Sequence, residues 1–184
     1  HQFLATIRQR DGTALKNAEG KITSHLSGLF YRSANLVKNR IKPVYVFDGK
    51  PDQLKQETID ERNRRRLQAE KDWKEAIEKG DTAKARVKAQ QTSRVTDEIV
   101  EQSKKLLEII GIPYVQAPEE GEAQASYMVR KGDAYAVGSQ DFDCLLIGSP
   151  ILIRNLTSAS KRKLPRKKAY VKVHPERIYL NHTL

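Results

Sequence analysis

Acidic residues gather at two places in this chain, in "APEEGEAQA" (117–125) and in "GSQDFDCLL" (138–146). The first stretch puts Glu119, Glu120 and Glu122 within four positions, in what reads as the first turn of a helix. The second sets Asp141 and Asp143 just after a short apolar run, and a further aspartate, Asp48, closes "KPVYVFDGK". Each has an ordinary reading, because an aspartate before glycine is a turn residue and glutamates in a first turn favour the helix dipole. Glu122 departs from it. Its helical spacing to Ala125, Ser126 and Val129 begins the stripe that should face the sheet, and a carboxylate aimed inward needs a partner. Residues two apart on a helix point to nearly opposite sides, so Glu120 and Glu122 converge only if Glu120 still lies in the entering loop, a bend that Gly121 permits. In an extended segment Asp141 and Asp143 share a side, with Phe142 pointing away. These acids fall at the C-terminal ends of strand candidates or just beyond, where open parallel sheets form their ligand sites. Gathered there, Asp48, Glu120, Glu122, Asp141 and Asp143 repel one another strongly unless cations neutralise them, and hard divalent cations take oxygen ligands. The chemistry expected is phosphodiester hydrolysis, with two ions about 4 Å apart that activate water and stabilise the leaving oxygen.

The overall charge supports a polyanionic partner. Lys and Arg number 34 against 23 Asp and Glu, a net charge of +11 in 184 residues. That balance points to nucleic acid or an anionic membrane surface, nucleic acid being the commoner. The length suits one sizeable core, hence a single domain. A lone cysteine, Cys144, excludes an internal disulfide. No apolar stretch approaches the roughly 20 residues of a membrane span and no leader-like segment opens the chain, so the expectation is a soluble, intracellular protein without membrane contact. His1, His25, His174 and His182 are scattered and offer no rival metal site, and no Gly-rich phosphate loop is present.

Elements to carry these residues follow from periodicity. "SHLSGLFYRSANLVKN" predicts an amphipathic helix with Ser24 as its cap, while "KPVYVFDGK", "IPYVQAP", "DAYAVGS", "PILIRNL" and "AYVKV" predict strands. Their alternation with helices implies an α/β fold and a mostly parallel sheet. From Lys55 to Arg94 the chain is helical in propensity but nearly lacks an apolar stripe at first, and Gly80 then Asp81 reads as a helix stop followed by a new cap. A projecting helical hairpin is expected, its second helix regaining a stripe at Val95, Ile99, Leu106 and Ile110. Phe3, Leu4 and Ile7 follow helical spacing, and Pro175 is read as opening a last helix towards Leu184, so both ends look cut from something longer. The basic run "KRKLPRKK" (161–168) reads as a solvated hairpin turn or a nuclear signal.

The motifs "SHLSGLFYR", "RIKPVYVFDGK", "LLEIIGIPYVQAPEEGEAQA", "GSQDFDCLLIGSP" and "KRKLP" together resemble the flap endonucleases among the structure-specific 5′ nucleases, most closely the archaeal type, from Gln2 to about Arg177. The resemblance implies a single nuclease domain over 1–184, incomplete at both ends. Its central mixed, mostly parallel sheet would be flanked by helices, with a helical arch inserted at about 52–98 through which a 5′ flap threads. It implies that Asp48, Glu120, Glu122, Asp141 and Asp143 are ligands of two Mg2+ ions, Mn2+ substituting, with Asp48 and Glu122 nearer one ion and Asp141 and Asp143 nearer the other. Lys55 and Arg62 match the cations that grip the scissile phosphate, Arg8 and Arg32 match cations near the active site, and Arg64, Arg65 and Arg94 are further DNA contacts. Trp73 is read as packing within the arch rather than as a base-stacking residue. The implied activity is endonuclease and 5′ exonuclease cleavage of branched DNA in replication and repair, leaving a 5′-phosphate and a 3′-hydroxyl. The implied protein is a monomer that contacts a sliding clamp through a tail, cytoplasmic or nucleoid-associated in an archaeon and nuclear in a eukaryote. His1 stands where the family has tyrosine, and two further metal-binding aspartates of the family would lie before His1 and beyond Leu184. A DNA-binding module without turnover is therefore the alternative reading, and a compact RNA-cleaving domain a weaker third.

Overall fold

A computed structural model of the chain describes Ile7 and residues 13–50, 56–92, 94–156, 161–163 and 170–180. Two compact units divide it: His1–Val44 with Asp52–Tyr114, and Tyr45–Pro51 with Val115–Leu184. The helix expected at Phe3, Leu4 and Ile7 lies outside the described residues except for Ile7 itself.

In the first unit, helix α1 (Ser24–Lys38) buries His25, Gly28, Leu29, Ser33 and Leu36, a stripe at the helical period. Ser24 is not its cap. Thr23 stands at the N-cap without a side-chain hydrogen bond, and Ser24, wholly buried, accepts from the Leu15 amide at 2.9 Å. Burial draws this hydroxyl to an orphan amide of the incoming chain instead of to its own helix.

Helices α2 (Gln56–Glu78) and α3 (Thr82–Gln91) form the expected hairpin. Gly80 takes a left-handed φ of 69°, and the Asp81 carboxylate caps α3 by accepting from the Lys84 amide at 2.9 Å. The hairpin is seamed by small side chains, Ala69 and Ala76 on α2 with Ala85 and Ala89 on α3, all nearly inaccessible. An alanine seam lets helix axes approach closely but buries little apolar area, which explains why no stripe of large residues marks it in the sequence. Across it, Lys88 pairs with Asp72 at 2.6 Å, and this bond holds the Asp72 carboxyl below its usual range. Trp73 is half-buried with its indole nitrogen inaccessible, in keeping with packing in the hairpin.

Contrary to expectation, the second hairpin helix does not run on to Ile110. It stops at Gln91, and a separate helix, α4 (Asp97–Ile109), starts at an N-cap Thr96 that accepts from the Ile99 amide at 3.3 Å. Val95 precedes it, 40% exposed, and the deepest residue is Leu107. The Thr96 cap, followed by Asp97 and Glu98 in the first turn, outweighs continuous helical propensity here.

In the second unit, strand β1 (Tyr45–Phe47) pairs with β2 (Tyr114–Gln116), whose last two residues belong to this unit. Helix α5 (Gly121–Lys131) follows, stopped by Gly132 at φ 85°. Strand β3 (Val137–Gly138) lies parallel to β4 (Ile151–Arg154), with the short helix α6 (Asp143–Leu146) between them in sequence. Strand β5 (Lys161–Lys163) pairs antiparallel with β6 (Tyr170–Lys172), and β4 also pairs antiparallel with β7 (Glu176–Tyr179), Arg154 opposite Glu176. Val129, Val137, Cys144 and Leu152 form the core, with Ala125, Ala134, Leu145 and Ile178 packed on it. The architecture is α/β with mixed sheets.

Pro175 does not open a helix. It precedes β7, whose four residues pair antiparallel with β4, Ile178 packing on the core while Arg177 and Tyr179 stay exposed. The start of a strand tolerates proline because its missing N–H is not required there. The basic run begins as β5, as a hairpin requires; residues 164–169 lie outside the described residues. No described helix is long and apolar enough to cross a membrane.

Candidate metal centre

The end of β1 is fitted against the loop that enters α5. Phe47 accepts from the Ala117 amide at 2.9 Å, and the Gly49 amide donates to the Glu119 carbonyl at 2.5 Å. Gln116 reaches the same turn, its side-chain amide donating to the Asp48 carbonyl at 2.7 Å. The Asp48 carboxylate then accepts from the Gly121 amide, the first of α5, at 2.8 Å. A helix N-terminus presents unpaired N–H groups and a positive dipole end, so this carboxylate is well placed there. A Cβ at 121 would lie 2.8 Å from Asp48 Oδ1, so a larger residue there would push the carboxylate off this position.

Glu120 is the N-cap of α5, extended at φ −83° and ψ 129°, and so lies in the entering loop as anticipated. Glu122, one residue into the helix and half-buried, accepts from the Ser139 hydroxyl at 2.6 Å. Ser139 Oγ in turn accepts from the Asp141 amide at 3.1 Å. One hydroxyl therefore ties the first turn of α5 to the loop beyond β3. That loop is not the extended segment expected. Phe142 is right-handed helical at φ −87° and ψ −8°, and Asp143 opens α6. The turn nevertheless converges the two aspartates, and carboxylate oxygens of Glu122, Asp141 and Asp143 all lie within 4.8 Å of one another.

The donor set is wholly carboxylate, which suits a hard divalent cation of the Mg2+ or Mn2+ kind. Bonds of about 2.1 Å place the ligands of one such ion up to about 4.2 Å apart, so the trio fits with small adjustments. Asp48 and Glu120 do not belong to the trio. Beneath it Cys144 is fully buried, and burial, then the charge of Glu122, pushes its thiol up to about 11, which keeps it neutral.

Lys55 and Arg8 lie outside the described residues. On α2, Arg62, Arg64 and Arg65 are exposed, Arg65 pairing with Glu61 one turn away. Arg62, Arg65, Arg66 and Lys88 line a groove between α2 and α3. Arg94 is exposed between α3 and α4, and Arg32 is half-buried on α1. Ser139, Gln116 and Arg154 bear on the acidic turns without having been singled out in the sequence. The signal available for Ser139 was its place two residues before Asp141, in "GSQDFD".

Two family profiles match the chain: the XPG N-terminal domain over residues 1–69 and the XPG I-region over residues 111–184. Among curated proteins, flap endonuclease 1 of Thermofilum pendens is 59% identical over the whole chain, which covers 53% of that protein, and that of Pyrococcus furiosus is 56% identical with 54% covered. Flap endonuclease-1 from Methanococcus jannaschii superposes with a TM-score of 0.65 at 47% identity, over 97% of this chain and 53% of that one. The catalytic core of Rad2 in complex with DNA substrate superposes at 0.59 with 30% identity, over 84% and 40% respectively. The chain thus spans about half the length of the curated relatives it matches.

Proposed function

The chain belongs to the flap endonuclease family, and from that premise we propose that the protein is a divalent-cation-dependent nuclease that hydrolyses phosphodiester bonds in branched DNA, 5′ flaps foremost, as endonuclease and 5′ exonuclease. The observation that carries the reading is a trio of carboxylates within 4.8 Å in a chain of net charge +11. Fixed cationic side chains hold a polyanionic backbone, and carboxylates concentrate the cation that the bond-breaking step needs. When bound, the cation lowers the pKa of a water and neutralises charge on the leaving oxygen.

The residues have distinct tasks. Glu122, Asp141 and Asp143 would hold the cation directly, and Ser139 keeps Glu122 aimed at the aspartate turn. Asp48, anchored by the Gly121 amide, and Glu120 would contribute through water or at a second ion. Lys55 and Arg62 orient the scissile phosphate; Arg8, Arg32, Arg64, Arg65 and Arg94 bind flanking backbone. The flap endonuclease relatives support DNA as substrate, and the Rad2 core is a DNA complex. Mg2+ is the expected ion, with Mn2+ as substitute, and the protein acts intracellularly as a monomer with a sliding clamp as a partner.

Asp141→Asn and Asp143→Asn test this. Each removes a charged ligand while leaving the basic surfaces untouched, so single-turnover cleavage of a labelled 5′ flap should be lost and flap binding in Ca2+ or chelator retained. Cleavage near the unmodified rate in both variants would sink the site; loss of binding together with cleavage would point to a structural role.

A further inference from the structure

Arg154 lies at the last position of β4 and reaches back over the aspartate turn. Its Nε–H donates to the Gln140 carbonyl at 3.3 Å, its guanidinium carbon lies 4.4 Å from the centre of the Phe142 ring, and its Nη1 lies 3.7 Å from Glu176 Oε2 on β7. The contacted residues alternate with the two aspartates: Gln140 precedes Asp141, and Phe142 separates it from Asp143. We propose that Arg154 is the positioning residue of the acidic centre, binding the backbone before Asp141 and the ring between the aspartates to the β4–β7 pair so that both carboxylates stay turned towards Glu122.

Ser139 holds the turn from the α5 side, through Glu122 and the Asp141 amide. Phe142 is exposed and the core takes hold of the chain only from Cys144 onwards, so the stretch before Asp143 needs a second support besides Ser139. Arg154 supplies that support on the opposite side, with its side chain 28% exposed and its register fixed by the Arg154–Glu176 pairing. A planar guanidinium can stack on a ring while donating at its edge; an ammonium offers a point charge without that fork.

Charge and positioning predict opposite signs, which makes the proposal testable. A cation beside three carboxylates repels a divalent ion, so removing it on electrostatic grounds alone tightens metal binding. If Arg154 positions the ligands, removing it weakens binding, by about tenfold to a hundredfold as for other supports behind metal ligands. This inference rests on the metal-centre reading above, and the measurement separates the two.

Mn2+ is titrated into the full chain, and free ion is read by electron paramagnetic resonance, for the unmodified protein and for Arg154→Gln, Arg154→Lys and Phe142→Leu. Expected are a loss of at least about tenfold for Arg154→Gln, partial recovery with Arg154→Lys, and a smaller loss for Phe142→Leu. Should Arg154→Gln fail to fold, the other two variants carry the test. Affinity equal to or tighter than that of the unmodified protein, in variants whose melting shows them folded, overturns the positioning role while the centre stands. Absence of Mn2+ binding by the unmodified protein overturns the centre and the positioning role together.

Discussion

Gly49→Ala should be among the most damaging single-methyl additions to this chain, for a reason visible in the backbone. A Cβ at 49 would fall inside 3.0 Å of the Pro118 carbonyl and of the Ala117 carbonyl. Neither is a flexible side chain. Ala117 is bonded to Phe47 through its amide, Gly49 is bonded to Glu119, and Pro118 has its φ locked by its ring. The collision is therefore relieved only if the end of β1 parts from the loop into α5. Overpacking typically costs about 1–3 kcal/mol, and a contact with backbone on the opposing side belongs at the top of that range, about 3 kcal/mol. For a chain of this length that is a fall in melting temperature of roughly 6–12 °C, at about 2–4 °C per kcal/mol.

Gly80→Ala is the control. Its φ of 69° makes alanine unfavourable, but nothing lies within 4 Å of the added methyl, so only the conformational cost of about 1 kcal/mol applies. Circular-dichroism melts should place Gly49→Ala well below Gly80→Ala. Hydrogen exchange should show the Ala117 and Gly121 amides losing protection only in the former, because those amides close the β1–loop and Asp48 contacts. A Gly49→Ala protein melting within about 2 °C of the unmodified one, with both amides protected, would refute the close fit.

Three further outcomes follow from charge and burial. Burial holds the His25 imidazole, bonded to Gln102 at 2.9 Å, below its ordinary pKa of 6.5, so its contribution to stability is complete above pH 6.5 and declines as pH falls towards the folded value, by at most about 1.4 kcal/mol per pH unit; His25→Gln should flatten that limb of a denaturation-versus-pH series, and an unchanged limb would count against burial as the cause. DNA affinity should fall with salt on a log–log plot by about 0.9 for each phosphate neutralised, and a slope near zero would remove nucleic acid as the partner. The α2–α3 hairpin, closed by alanines and one Asp72–Lys88 pair, should exchange amides faster than α4 when free and gain protection with flap DNA; equal protection in both states would refute ordering by substrate.

Most of the element types were legible because each rests on a local rule. Gly80 and Asp81 mark a helix stop and restart through a left-handed φ and a side-chain cap, both decided within a few residues. Where expectation failed, a partner distant in sequence decided. Ser24 was drawn from capping by an amide nine residues back, and the stretch after Pro175 became a strand because β4 offers an open edge at Ile151–Arg154. The alanine seam was illegible for another reason: periodicity arguments weigh large apolar residues, and alanines carry almost none of that signal although they close the interface.

The acidic centre divides in the same way. Glu122 was legible as an inward-facing carboxylate because the buried stripe it begins, through Ser126 and Val129, is a property of one helix. Its approach to Asp141 and Asp143 arises in a way the spacing did not contain. In a strand the two aspartates would share a side by alternation, whereas here the turn into α6 brings them together, and the Ser139 hydroxyl, 17 residues from Glu122, joins turn to helix. Asp48 illustrates the limit most clearly. Its position at the end of β1 was readable, but a carboxylate there answers to the first free amide it meets, and that amide belongs to Gly121. One oxygen of Asp48 is held by the helix terminus and Asp48 lies outside the converging trio, so an ion bound by Glu122, Asp141 and Asp143 is expected to feel it only through water or through a second ion. The Asp48–Gly121 bond therefore gives Asp48→Asn a smaller expected effect on Mn2+ affinity than Asp141→Asn: the anchored oxygen has a neutral replacement in the amide carbonyl, while a ligand charge has none. Equal losses in the two variants would place Asp48 in direct contact with the ion.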